Sequence, residues 1–304
     1  MRRLLAAAPF ALLALVWGFS FPAISVGLRS LPPVLFAAFR YDVAAVLLLA
    51  YAVARTDEWR PTARPDLLAV LAGGVFLVAG NGLLFVGQRT VPSGVAAIMQ
   101  SLVPIATALW ALALLPEERL TPTGAAGILL GFLGVALIVR PDPANLLGSS
   151  AGRLLILVQV ASVALGGVLI QRARPTLDRA AVSGWSMGLG GLLLHAASAG
   201  LGEPFALPDT PLGAASVAYL GVFATALAFF VYFSLLERRG ALETSLIAYL
   251  VPVVATVAGV FLLEETITPL TLAGFGVVAA GFFVLKREAV AGLVRDARRP
   301  RPGD

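Results

Sequence analysis

Cysteine is absent from this 304-residue chain, which excludes disulfides, thiolate nucleophiles and cysteine-ligated metals. Histidine occurs once, at position 195, and no H-E-x-x-H zinc motif, phosphate loop or dinucleotide fingerprint is present. Without a nucleotide site of its own, the chain is not a self-sufficient ATP-driven pump. Charge is scarce as well: 13% of residues are charged, 59% are hydrophobic and the mean hydropathy is +0.92. That polar content cannot cover a water-soluble globule of this length, so the composition specifies an integral membrane protein with no soluble domain.

The few charges that exist lie between apolar runs. The pI of about 10.2 invites a nucleic-acid reading, but the basic residues occupy short loops and a tail. Membrane orientation explains that distribution without a polyanion, so no nucleic-acid partner is expected. Met1-Arg2-Arg3 ahead of Leu4–Val16 has the outline of a secretory signal, yet the apolar stretch continues through Trp17, Phe19, Phe21 and Ile24. It is read as an uncleaved first span.

A bilayer core of about 30 Å takes roughly twenty helical residues. By that measure the chain offers ten spans, near 10–28, 34–53, 67–86, 94–115, 124–139, 154–170, 181–201, 212–235, 242–263 and 270–285. Turn and charge chemistry fills the gaps, as in Leu31-Pro32-Pro33, Pro116-Glu117-Glu118-Arg119 and Glu237-Arg238-Arg239-Gly240. Alternating the loops leaves only Arg29, Arg89, Arg140 and Arg153 on one face, and places every other basic residue except mid-span Arg40 on the opposite face. The positive-inside rule then puts both termini in the cytoplasm.

The end of the first half recurs at the end of the second. Pro104, Glu118, Pro122, Gly127, Gly134 and Arg140 are matched by Pro252, Glu265, Pro269, Gly274, Gly281 and Arg287, with identical spacing from the glutamate onward. Residues 1–144 and 145–288 are therefore read as two five-helix repeats, followed by a basic cytoplasmic tail over 289–304 that contacts anionic lipid. An odd number of spans per half makes the second half enter the membrane from the other side. The repeat is inverted, a recurring plan of secondary transporters.

With Trp17-Gly18 in the first span and Arg40 early in the second, this twice-used module resembles the drug/metabolite transporter superfamily, specifically its EamA-like members. The resemblance covers nearly the whole chain and is clearest over Val91–Arg140 and Ala241–Arg287. Two local departures are an extra residue between Pro104 and Glu118, and Glu265-Thr266-Ile267 in place of Glu-Arg-Leu. The resemblance implies an all-α membrane protein of ten transmembrane helices from a duplicated five-helix unit. It also implies transport of small metabolites such as amino acids, often outward, across the plasma membrane. A small-molecule substrate and the lipid bilayer are the expected partners, no cofactor is expected, and homodimerisation is left open. The alternative from another class is a non-transporting membrane protein of lipid-binding or scramblase type.

Ionisable groups deep in a span cost roughly 2.5–3.5 kcal/mol, which makes them functional suspects. Three stand out: Arg40, Asp42 and His195. Two residues apart on one helix, Arg40 and Asp42 point to nearly opposite faces and need separate partners. Arg40 is read as an anchor for a substrate carboxylate or a gating ion pair, against a structural reading in which it snorkels to the interface. Asp42 and His195 are read as proton-coupling groups, against helix packing. Trp17, Asn81 and Gln100, near mid-span, are the polar and aromatic groups expected to join Arg40 along the pathway. Pro104 and Pro252 are expected to bend spans four and nine as hinges or static kinks. The Gly124, Gly127, Gly131, Gly134 stripe is assigned to close helix packing. Exposed Glu118 and Glu265 at helix ends are read as solvated, with gate ion pairs as the sharper alternative.

Catalysis is not expected. Gly184-Trp185-Ser186-Met187-Gly188 spells the hydrolase nucleophile motif, but that elbow needs a strand, a sharp turn and a helix. Nine residues of helix separate Ser186 from His195 by roughly 13 Å and put them on opposite faces.

Overall fold

A computed structural model describes residues 2–115, 121–139, 150–232, 234–235, 244, 247–285 and 287. Glu118, Arg140 and the 289–304 tail lie outside these residues. The regular structure is helical throughout the described residues: α1 (Arg2–Gly27), α2 (Pro33–Arg55), α3 (Arg64–Ala72), α4 (Gly82–Gly87), α5 (Ser93–Gln100), α6 (Val103–Leu114), α7 (Pro122–Val139), α8 (Ala151–Ala173), α9 (Arg179–Gly200), α10 (Pro211–Ala218), α11 (Ile247–Leu263) and α12 (Pro269–Leu285). Two π-helical segments, Gly73–Ala79 and Tyr219–Leu227, continue α3 and α10.

Among the described residues seven stretches are long and apolar enough to cross a membrane: Ala8–Gly27, Pro33–Arg55, Arg64–Gly87, Ser93–Leu114, Pro122–Val139, Ala151–Ala173 and Pro211–Tyr232. Ile247–Leu263 and Pro269–Leu285 are shorter apolar helices. The sequence-based count of ten comprises these stretches, the two shorter helices and α9. Large apolar side chains face outward, as Phe261 at 80% exposure shows, while Asn81, Gln88 and Gln159 are buried. This is the distribution hydrocarbon demands.

Proline opens α2, α7, α10 and α12, where its missing N–H has no carbonyl to serve. Other orphan donors are met at long range. Glu203 accepts from Val34 N at 3.1 Å and Leu35 N at 2.9 Å, capping α2. Glu265 accepts from Ser93 N at 2.7 Å, Ser93 Oγ at 2.9 Å and Gly94 N at 3.1 Å, capping α5. Glu265 is thus neither a freely solvated charge nor half of an ion pair among the described residues, because the α5 amides take both its oxygens.

The corresponding helices of the two halves cross antiparallel. A Cβ at Gly127 of α7 would sit 2.6 Å from the Gly281 carbonyl oxygen of α12, and one at Gly134 would sit 2.8 Å from that of Gly274. Ascending α7 descends α12. Between α2 and α9 the same relation holds, with Gly184 against Leu49 and Gly191 against Asp42. Of the glycine stripe expected to mediate close packing, Gly127 and Gly134 meet α12 and Gly131 meets Ile105 of α6.

The repeat also shows in the π segments. Gly74-Val75-Phe76 in the first recurs as Gly221-Val222-Phe223 in the second. The prolines of spans four and nine, by contrast, sit in different settings. The fourth span is interrupted at Ser101-Leu102, with Pro104 in the first turn of α6, whereas α11 runs uninterrupted through Pro252.

Because these contacts leave no room for side chains, Gly281→Val is expected to destabilise the protein by about 1–3 kcal/mol. Thermal unfolding in detergent measures it, with the exposed change Phe261→Leu expected to be nearly silent.

Candidate functional site

The second π segment organises the centre of the site. A π turn widens the helix and leaves carbonyls for donors from other helices. The Trp17 indole Nε1 donates to the Ala224 carbonyl at 3.0 Å, with its ring 5.6 Å from that of Tyr232. The next residue, Thr225, is 1% exposed; its Oγ1 accepts from Arg40 Nε at 2.9 Å and donates to the Leu220 carbonyl at 2.7 Å. The Arg40 guanidinium lies 5.3 Å from the Tyr41 ring centre and 6.0 Å from that of Phe85. Aromatic faces favour a cation there without neutralising it. Among the described residues no carboxylate lies within ion-pair distance of Arg40.

Tyr41 carries the site onward. Its hydroxyl accepts from Asn81 Nδ2 at 2.7 Å, Asn81 Oδ1 accepts from Gln159 Nε2 at 2.8 Å, and Gln159 Oε1 accepts from Gln100 Nε2. Each amide uses its nitrogen toward Tyr41 and its oxygen away from it, so the chain of bonds has one direction. Asn81 follows the first π segment and Gln100 ends α5 at the interruption of the fourth span. The polar side chains therefore stand where the helices are irregular, and short local breaks aim them inward.

The structure joins Trp17, Arg40, Asn81 and Gln100 into one array. Thr225 and Tyr41 link it and were missed from sequence, since neither residue type is unusual in a span. The repeated Gly-Val-Phe triplet was the available signal for the turn that holds Thr225.

Asp42 and His195 form a separate pair. His195 Nε2 lies 2.7 Å from Asp42 Oδ2, and the side chains are 41% (Asp42) and 30% (His195) exposed. Val46 and Leu192, one turn away on the same helices, are each 68% exposed. The pair looks outward from the α2–α9 groove, on the other side of α2 from Arg40, as the helical spacing requires. Ser186 is buried within α9, where its hydroxyl faces Gly73. No nucleophile elbow exists at that motif. Pro104 and Pro252 make none of the polar contacts of the array. Two surface depressions lie apart from it, one lined by Val26, Arg29 and Thr210 and the other by Tyr51, Asp178 and Phe230.

A helical membrane bundle with a cationic polar array inside it is the framework of a carrier. The EamA-like transporter family model matches residues 5–140 and again 150–287. An uncharacterised transporter of Archaeoglobus fulgidus is 31% identical over 291 residues, covering 91% of this chain and 97% of its own. The uncharacterised inner membrane transporter YedA of Escherichia coli K12 is 32% identical over 268 residues, covering 88% and 85%. A Salmonella typhimurium protein named a probable amino-acid metabolite efflux pump is 28% identical, covering 90% and 92%. A solved crystal structure shares the fold at TM-score 0.65, 20% identity and coverage of 97% and 99%. The chain belongs to the EamA-like transporter family, and it is a multi-pass membrane transporter.

Leucine at Asn81 would strip the Tyr41 hydroxyl of its donor and the buried Gln159 amide of its acceptor. Asn81→Leu is expected to cost about 1–3 kcal/mol. In thermal unfolding, Gln159→Leu added to it is expected to cost less than it does alone, because the network is already open.

Proposed function

We propose that this chain is a secondary transporter that moves small carboxylated metabolites, amino acids and related compounds, outward across the plasma membrane. Ten spans in two inverted five-helix halves provide alternating access, with both termini in the cytoplasm. The antiparallel crossings of α7 with α12 and of α2 with α9 support the inversion, and loop charge supports the orientation.

The observation that carries the substrate class is Arg40. It is permanently charged, sits about two turns into α2, and has a neutral side-chain partner with no carboxylate in ion-pair reach among the described residues. A substrate carboxylate completes it, and the neutral array from Tyr41 to Gln100 offers hydrogen bonds without a competing negative charge. The efflux-pump name of the Salmonella typhimurium relative supports amino acids as the class and export as the direction. Pro104 and Pro252, at matching places in the repeats, are assigned the hinge role. Proton coupling is assigned to Asp42 and His195, the chain's one imidazole with a carboxylate at 2.7 Å.

Counterflow into proteoliposomes, with a panel of labelled amino acids, sugars and nucleosides and no imposed gradient, tests the reading. Saturable exchange of carboxylated solutes is expected, and absence of any exchange by folded protein would overturn it. Arg40→Gln is expected to lower carboxylate exchange by about tenfold or more, and Arg40→Lys to impair it through loss of bidentate geometry. Normal carboxylate exchange by Arg40→Gln would sink the anchor. His195→Gln is expected to flatten the pH dependence of exchange. An unchanged profile in folded protein removes the coupling assignment and leaves the pair as a strut between α2 and α9.

A further inference from the structure

We infer that Thr225 is a positioning residue for the substrate anchor: the π turn that carries it grips Arg40 by the Nε edge and leaves the terminal guanidinium N–H groups for an end-on carboxylate. The inference rests on Arg40 being the anchor.

Three features carry it. The Thr225 hydroxyl has one proton, and that proton is committed to the Leu220 carbonyl at 2.7 Å, five residues back. Toward Arg40 it acts as an acceptor, and it does so at 2.9 Å. The five-residue reach belongs to the π turn, so a regular α-helix there would aim the oxygen elsewhere. Next, Gly221 brings this segment against α2: a Cβ there would lie 2.6 Å from Val43 Cβ and 3.1 Å from the Arg40 carbonyl oxygen. Helix and anchor are held in one register. Finally, the first π segment shows that such a turn does not need the hydroxyl. Aligned on the Gly-Val-Phe triplets, Val78 takes the place of Thr225 and is 0% exposed. The corresponding helix α9 has no basic residue between Arg179 and His195. The hydroxyl is present in the π turn that faces an arginine.

A carboxylate can meet guanidinium side-on, through Nε and one terminal nitrogen, or end-on through both terminal nitrogens. Thr225 occupies the Nε position. The Tyr41 and Phe85 rings flank the group, so the terminal nitrogens are the edge assigned to substrate. Preorganising that edge lowers the cost of binding without adding a contact to the substrate.

The test is counterflow with labelled common L-amino acids, competed by their carboxamides, on reconstituted wild-type protein and the Thr225→Val, Thr225→Ser and Arg40→Gln variants. Thr225→Val is nearly isosteric and copies the first half. It is expected to raise KM for carboxylates by about tenfold, keep the maximal rate within about twofold, and erode the preference for carboxylate over carboxamide. Thr225→Ser is expected to restore KM and preference. Unchanged KM in Thr225→Val while Arg40→Gln is impaired overturns the positioning role alone. Equal loss of maximal rate in the Val and Ser variants at constant KM also overturns it, since that is the mark of a merely structural turn. Normal exchange by Arg40→Gln, or no exchange of any carboxylated probe by folded wild type, overturns the anchor and this inference together.

Discussion

Hydrocarbon supplies no hydrogen bonds, and that constraint governs this bundle more than any apolar contact. Helix against helix is little different from helix against lipid tail as an apolar contact, so polar ties at irregular backbone must specify which surfaces meet. Here those ties run between the halves. Glu203 and Glu265, late in the chain, cap α2 and α5 in its first half. Asp66 of the first half accepts from Thr176 N at 2.7 Å and Leu177 N at 3.1 Å in the second. The carbonyls freed by the π turns do the same: Trp17 donates to Ala224, and Ser162 donates to Phe76 at 2.8 Å. Each π turn is thereby also a link across the repeat.

The polar array inherits its position from that solution. Arg40 would be costly in a regular span, but a π turn opposite it presents a threonine oxygen at 2.9 Å and an aromatic flank shares the field. Asn81 and Gln100 sit at breaks for the same reason, and Gln159 bridges them from α8. Asn81 and Gln100 thus stand where backbone regularity has already been given up.

Sequence reading reached what is local. Span positions follow from runs of apolar residues, the breaks between them from turn and charge residues, and close packing of α7 from glycines spaced three and four apart. Arg40, Trp17, Asn81 and Gln100 were legible because a polar or amphipathic group at mid-span is conspicuous against its neighbours. What links them was not. Thr225 is one residue in an apolar run, and its role depends on a π turn whose Gly221 packs closely against Val43. Glu265 looked like a solvated helix end because its partners, the Ser93 and Gly94 amides, lie 172 and 171 residues away. Asp42 and His195 were each visible as ionisable, but only tertiary structure brings them to 2.7 Å.

A two-fold scaffold carries a one-fold site. Both halves keep the π turn, yet Thr225 is matched by Val78, and α9 has no basic residue between Arg179 and His195 to be oriented. A bundle built only for stability has little reason to differ there, because valine fills the same volume without a hydroxyl to satisfy. The halves differ again at their prolines: the fourth span breaks at Ser101-Leu102, where Ser101 Oγ donates to the Ile98 carbonyl at 2.6 Å, while α11 continues through Pro252. In the continuous copy the Tyr249 hydroxyl, three residues before the proline, is buried without a hydrogen-bond partner among the described residues. An unpaired hydroxyl in that setting raises the energy of the arrangement that contains it by about 1–3 kcal/mol. Equivalent places in the two copies therefore differ in kind: a broken span in one, and in the other a continuous span holding a hydroxyl that has no partner among the described residues.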